Sequence, residues 1–363
     1  MMSSLEGLIV AKFLLFSDIH VHPHKKSQAR LDDCLKALEW VFETAKKEAV
    51  DCVLFGGDLL HDRQKIDTLT YVKVYNILSK YQNENFKVYF VVGNHDMWFA
   101  NDWSVTSVKP FGSINNIEII AEPKNLNLFG IDWFFLPYTH NPVDELKKCT
   151  TDISKTYLLG HLSIDGAKLN SSGSVADVVI EHDGDMVRVS KDLFLKFKTA
   201  FFGHYHSYQK LAENVMYIGS PLQLSYGEAG DKKHIIILDT EAEELKYIEN
   251  TFSPIHLHIK EEDLKNYTTE ELDGNFVTVL SDGSDDRKTK KSMQLLQEQG
   301  VTTVQVKKVA KASDEHAIQD AKALLANEDQ LLEKYVEQIK DCELDKAELV
   351  RFGQFIMNYQ PEE

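Results

Sequence analysis

Apolar runs of three to five residues recur along the first 240 positions, and five of them stop at short polar clusters. Residues 13–16 lead to Asp18-Ile19-His20, 52–55 to Gly56-Gly57-Asp58, 88–92 to Gly93-Asn94-His95-Asp96, 157–159 to Gly160-His161, and 200–202 to Gly203-His204-Tyr205-His206. Each run suits one buried strand of a mostly parallel sheet covered on both faces. Between the first two runs, Leu31, Leu35, Leu38 and Phe42 repeat at three- and four-residue intervals and predict a helix over 27–47. A second helix is predicted over 68–80, giving βαβαβ order and a parallel sheet with right-handed crossovers. Beyond Gly112 the pattern turns strand-rich, with strands predicted at 117–120, 127–129 and 131–136 and short helices at 142–148 and 191–197. Strands at 215–218, 234–238 and 245–248 are expected to complete a second sheet packed on the first.

The pattern changes near Pro254. Strands at 255–259, 276–280 and 303–306 with a helix at 291–299 predict a small separate α/β unit. From Ser313 onward the chain is acidic and helical in pattern, with stripes at Leu331, Tyr335, Ile339 and at Leu349, Phe352, Ile356. Three domains are expected, over 1–254, 255–312 and 313–363. The expected class is α/β: two mixed sheets flanked by helices in four layers, a small α/β capping domain and a helical C-terminal segment.

Ligands of open α/β sheets bind beyond the carboxyl ends of the strands, so the five clusters should meet on one rim. Together they supply the oxygen and nitrogen donors of a two-metal hydrolytic site. Asp58 is the natural bridge, because two glycines let the backbone turn sharply off the strand before it. Asp18 and His20, two apart on an extended segment, can reach one ion from the same side. Asn94 is a neutral oxygen donor, and His161, His204 and His206 complete the shell. Two divalent ions against two carboxylates leave a charge of about +2, which attracts a phosphodiester. A lone histidine is ordinarily structural, and His140, His182, His234, His256, His258 and His316 are read so, whereas His22 and His24 stay open.

Asp-x-His, Gly-Asp, Gly-Asn-His-Asp, Gly-His and Gly-His-x-His, in this order and each behind a strand, resemble the calcineurin-like metallophosphoesterase superfamily over about 240 residues. Within it, Gly57-Asp58-Leu59-Leu60-His61-Asp62 is similar to the SbcD-type nuclease subunit of recombination and repair, which has a histidine at the position of His61. Protein phosphatases tend to continue the second motif with Asp-Arg-Gly and to carry Gly-Asn-His-Glu as the third, and this chain departs from both. The resemblance implies Asp18, His20, Asp58 and His206 on one ion and Asp58, Asn94, His161 and His204 on the other; mixed carboxylate and imidazole ligands permit manganese, iron or zinc, and the resemblance implies manganese. His95 is then left to protonate or stabilise the leaving 3′ oxygen, Asp96 to orient its imidazole, and His61 to position the scissile phosphate.

The implied activity is a DNA nuclease of recombination, repair or replication, a 3′ to 5′ exonuclease with single-strand endonuclease activity, in which a metal-activated hydroxide attacks in line. The implied partners are DNA at the capping domain, an SMC-like ABC ATPase of SbcC type at the C-terminal segment, and a second copy through the early helices, giving a homodimer within a heterotetramer. A cyclic-nucleotide or other small-substrate phosphodiesterase on the same core is the alternative. A scaffold that lost catalysis is disfavoured, since no ligand position has been lost.

Charge and composition modify this picture only slightly. The net charge of −17 opposes a nucleic-acid partner at first sight. However, residues 241–363 hold 27 acidic and 15 basic side chains, so most of the excess lies away from the clusters. Two basic groups stand out there, Arg287-Lys288-Lys290-Lys291 and Lys307-Lys308-Lys311, and fit phosphate contacts as well as solvated loop charge. Four scattered cysteines without a CxxC pair suggest a reducing compartment. No apolar stretch approaches the roughly 20 residues of a membrane span and no signal peptide is evident, so a soluble, cytoplasmic protein is expected.

Overall fold

Strand Lys12–Phe16 is buried along nearly its whole length and takes partners on both edges. The computed structural model that shows this describes residues 10–308 apart from 101, 170–173, 183 and 285, together with Lys346 and Leu349. On one side Cys52–Phe55, Lys87–Val91 and Ile117–Ile120 follow in parallel. On the other, His234–Asp239 pairs antiparallel and Glu244–Glu249 closes the edge of a six-stranded sheet. This corrects the assignment of the strands at 234–238 and 245–248 to the second sheet. The register Phe13↔Leu238 and Leu15↔Ile236 pairs this strand directly with Lys12–Phe16, and it sends Ile236 and Leu238 to the same face of the first sheet as Phe13 and Leu15.

The second sheet runs Gln209–Ala212, Val215–Tyr217, Thr199–Gly203, Tyr157–His161, Ile131–Leu136, Lys124–Leu128, with its four central strands parallel. Side-chain alternation along each strand builds three apolar layers. Phe13, Leu15 and Leu54 meet Trp133, Phe135, Leu159 and Phe201 between the sheets. Leu14, Phe16, Val53 and Phe55 face outward onto helix Gln28–Lys47, which begins at Ser27, whose hydroxyl accepts from the Arg30 amide, and buries Leu31, Leu35, Leu38 and Phe42. Helix Thr68–Lys80, capped by Asp67, adds Val74 and Leu78 to that layer. On the far side Phe134, Leu158 and Phe202 pack against Phe194 and Phe197. This fourth layer is thinner than expected: the predicted helix at 191–197 is a single 3-10 turn at Lys191–Leu193, and the other is Pro142–Leu146.

Strands His256–Lys260, Phe276–Ser281 and Thr303–Lys308 form a separate parallel sheet, covered by helix Asp286–Glu298, whose Leu296 joins Ile259, Val277 and Val279 in one cluster. Arg30 stitches it to the main body, giving Nη2 to the Gln223 carbonyl at 2.9 Å and laying its guanidinium 4.6 Å over the Phe276 ring. Gln223 in turn accepts from the His256 amide at 2.6 Å. Of the basic groups, Arg287, Lys288, Lys290 and Lys291 lie on the helix and Lys307 and Lys308 end the last strand. Lys311 and the segment over 313–363, expected to be helical with two stripes, lie outside the described residues, but for Lys346 and Leu349. Among the described residues no helix is long and apolar enough to cross a membrane.

Candidate metal centre

Strands Lys12–Phe16, Cys52–Phe55 and Lys87–Val91 are consecutive in one sheet, and Tyr157–His161 and Thr199–Gly203 are adjacent in the other, all pointing the same way within their sheets. Their carboxyl ends therefore open on a common rim, and the loops are pinned together there. Asp18 and His20 donate backbone N–H to the carbonyls of Gly57 and Asp58 at 2.9 and 3.1 Å. The His204 amide donates to both Asp18 oxygens at 3.0 Å, and the His95 amide to Asp58 Oδ1 at 2.7 Å.

All seven expected ligands come together. Asp58 Oδ2 stands 3.5 Å from His20 Nε2 and 3.3 Å from His161 Nε2, between the two halves of the cluster. In one half His206 Nε2 faces His20 Nε2 at 3.2 Å, and the donors of Asp18, His20 and His206 lie within 4.8 Å of one another. In the other, Asn94 Oδ1 is 3.0 Å from both His161 Nε2 and His204 Nδ1.

The donor chemistry fits divalent cations. His161 Nδ1 points at the Gly56 carbonyl at 2.7 Å; a carbonyl only accepts, so Nδ1 carries the proton. The lone pair of a neutral His161 at Nε2 then faces the oxygens of Asp58 and Asn94, an arrangement that only a cation or an extra proton reconciles. Burial disfavours a charged His161, yet Asp58 and Asp18 push its pKa up to about 9. His204 is lowered to about 3 by burial and by His161, which Asp58 offsets only in part. Two nitrogens about 2.1 Å from one ion at angles of 90 to 109° stand roughly 3.0–3.4 Å apart, which matches the His20 to His206 spacing.

The backbone is strained at these positions. Asp18, His20, Asp58 and His204 have φ of 54°, 45°, 62° and 102°, half of the eight non-glycine residues with positive φ among those described. Gly57, at φ 102°, could carry no side chain: a Cβ would fall 2.5 Å from His161 Nδ1 and 2.8 Å from the Gly93 Cα. Gly57→Ala is thus expected to lower stability by about 1–3 kcal/mol and to impair metal binding, checked by thermal unfolding and by bound metal per chain.

His95 and His61 lie beside the cluster, their donors grouped with that of His20 within 4.8 Å. Their rings stack at 5.7 Å. The expected role of Asp96 is corrected. Its carboxylate accepts from the amides of Asp58, Leu59 and Gly93 at 2.8, 3.0 and 2.9 Å and does not touch the His95 ring. Three converging amides outcompete one imidazole, so Asp96 shapes the loops. The group on His95 Nδ1 is the His61 carbonyl, at 2.6 Å. His22 and His24 sit behind His61 as supports, bonded to Asp62 and to the His20 carbonyl. Sequence reasoning misses Glu228, which is 4% exposed and bonded to His206, and Tyr138, whose ring lies 6.1 Å from His204. Glu228 belongs to none of the five clusters, and its spacing from Asp231 carries no ligand signal.

The family described as "Calcineurin-like phosphoesterase" matches residues 11–208. Exonuclease subunit 1 of Enterobacteria phage T4 is 24% identical over 227 residues, 60% of this chain and 61% of that protein. The SbcD component of nuclease SbcCD from Staphylococcus epidermidis is 24% identical over 67% of this chain and 69% of its own, and that from Escherichia coli K12 is 23% identical over 67% and 68%. The chain thus spans about three fifths of the phage relative's length and about two thirds of the bacterial ones'.

Proposed function

Since the chain belongs to the calcineurin-like phosphoesterase family of metal-dependent hydrolases, we propose that it is a DNA nuclease of SbcD type, using two divalent ions, manganese in the first instance. The observation that carries this reading is Asp58 Oδ2 standing between His20 and His161, with His61 and His95 at the side of the same cluster. The nuclease names of the three relatives support the choice of substrate.

Asp18, His20, Asp58 and His206 would hold one ion, and Asp58, Asn94, His161 and His204 the other. Such a pair of ions supplies Lewis-acid polarisation of the phosphoryl oxygen and a water of lowered pKa. With only two carboxylates in the cluster the loaded site stays net positive, which draws in the diester. Because the His61 carbonyl keeps Nδ1 of His95 protonated, Nε2 is the atom at which His95 holds or delivers a proton, and the leaving 3′ oxygen is its recipient. His61, stacked on His95, would contact the phosphate.

The small parallel sheet would act as a DNA-contacting cap through Arg287, Lys288, Lys290, Lys291, Lys307 and Lys308. Residues 313–363 would dock on an SMC-like ABC ATPase of SbcC type, in a heterotetramer built on a homodimer. Linear DNA with manganese is expected to be shortened from its 3′ ends and single-stranded circles to be nicked. A protein that turns over a chromogenic diester with DNA neither cleaved nor competing would instead be a small-substrate phosphodiesterase.

A further inference from the structure

His206 is gripped from two sides. Its Nδ1 meets Glu228 Oε1 at 3.2 Å, and its backbone carbonyl accepts from Lys233 Nζ at 2.8 Å. Glu228 and Lys233 pair at 2.7 Å with both side chains about 5% exposed. Ser225 Oγ completes Oε1 at 3.2 Å, and the Leu224 amide and Ser220 Oγ reach Oε2 at 3.2 and 3.4 Å. With every lone pair directed, the carboxylate cannot swing away. An ionised carboxylate only accepts, so Nδ1 of His206 bears the proton and Nε2 presents its lone pair toward His20.

No other candidate imidazole ligand has a carboxylate on its outer nitrogen. His161 gives Nδ1 to a neutral carbonyl. His20 Nδ1 is buried with no hydrogen-bond partner among the described residues, and His204 Nδ1 is turned to Asn94 itself. The carboxylates of Asp18 and Asp58 do not by themselves separate the two halves, since their oxygens group with His161 as well as with His20. What only one half has is the outer carboxylate of Glu228, paired with Lys233 behind His206, whereas the other has the neutral Asn94.

We infer that Glu228 is a positioning residue that makes the two cation sites unequal: it locks His206 as a donor, so the Asp18, His20, His206 site fills first and holds its ion more tightly than the Asn94, His161, His204 site. This rests on the two-ion reading above and adds an order of loading to it. A carboxylate on the outer nitrogen of a ligating imidazole is worth 10- to 100-fold in metal affinity. Lys233 keeps the buried Glu228 ionised and binds its other oxygen, away from the imidazole.

Calorimetric titration of the metal-free full chain with manganese(II) provides the test. The wild type should show two unequal phases, and Glu228→Gln should weaken the tighter one by about 10- to 100-fold while leaving the weaker in place. Because the single change strands a buried lysine charge, the double variant Glu228→Gln, Lys233→Met is run beside it and carries the test if the single one does not fold. It should show the same selective loss. Recovery of the tight phase in the double variant, an equal loss in both phases, or a Glu228→Gln isotherm like the wild type would each overturn the inference while leaving the two-ion reading intact. A wild type that binds fewer than two manganese ions would overturn both.

Discussion

Asp58→Asn should give a folded chain whose manganese-dependent phosphodiesterase activity is lower by roughly 10³- to 10⁴-fold, the equivalent of the several kcal/mol that a metal centre contributes to charge stabilisation. The substitution is nearly isosteric, and Oδ1 remains an acceptor for the His95 amide, so the loop between the two motifs keeps its hydrogen bond at 2.7 Å. What changes is the charge at Oδ2, the atom between His20 at 3.5 Å and His161 at 3.3 Å. Burial by itself disfavours an ionised Asp58, and His161 nevertheless holds its carboxyl well below the usual range. That anion is therefore stabilised by positive charge, and it stabilises in turn whatever cation lies between the two histidines. Rates on a chromogenic diester and on linear DNA, with circular dichroism as the control for folding, measure the effect. A variant within tenfold of wild type would move the bridge away from Asp58.

His95→Gln should cost about 10²- to 10⁴-fold on DNA while manganese still binds. The expected ligands reach each other without the His95 side chain, whose Nδ1 is engaged by the His61 carbonyl at 2.6 Å. The discriminating measurement is the leaving group. An alkoxide such as a deoxyribose 3′ oxygen needs a proton as it departs, whereas a nitrophenolate does not. The variant should thus lose far more on DNA than on a nitrophenyl diester. Equal losses on the two substrates would assign His95 to charge stabilisation or packing instead of proton transfer.

Much of the first half of the fold follows from local pattern. Strand 52–55 and helix 68–80 have the boundaries that their apolar periodicity predicts, because both are amphipathic or wholly buried segments with clear stops. The short hairpin of Met97–Phe99 with Asp102–Thr106, and that of Val179–His182 with Asp185–Arg188, do not emerge from the pattern. They are small, half-exposed and carry little apolar alternation, so nothing local announces them. The segment His234–Asp239 reads correctly as a strand but with the wrong neighbours, since its apolar run Ile235 to Leu238 states that it is buried and not beside what.

The candidate donors are legible in the chain alone: five polar clusters, each behind a buried strand, whose residue types suit divalent ions. Tertiary structure alone decided how those donors are held. The left-handed backbone at Asp18, His20, Asp58 and His204, the turning of Asp96 toward three amides, and the Glu228 and Lys233 grip on His206 all depend on contacts between segments remote in the chain. Strand propensity and hydrophobic period are properties of neighbours along the chain, and so are visible in it. Hydrogen-bond competition inside a buried cluster is settled by distances in space, which exist only once the two sheets have packed.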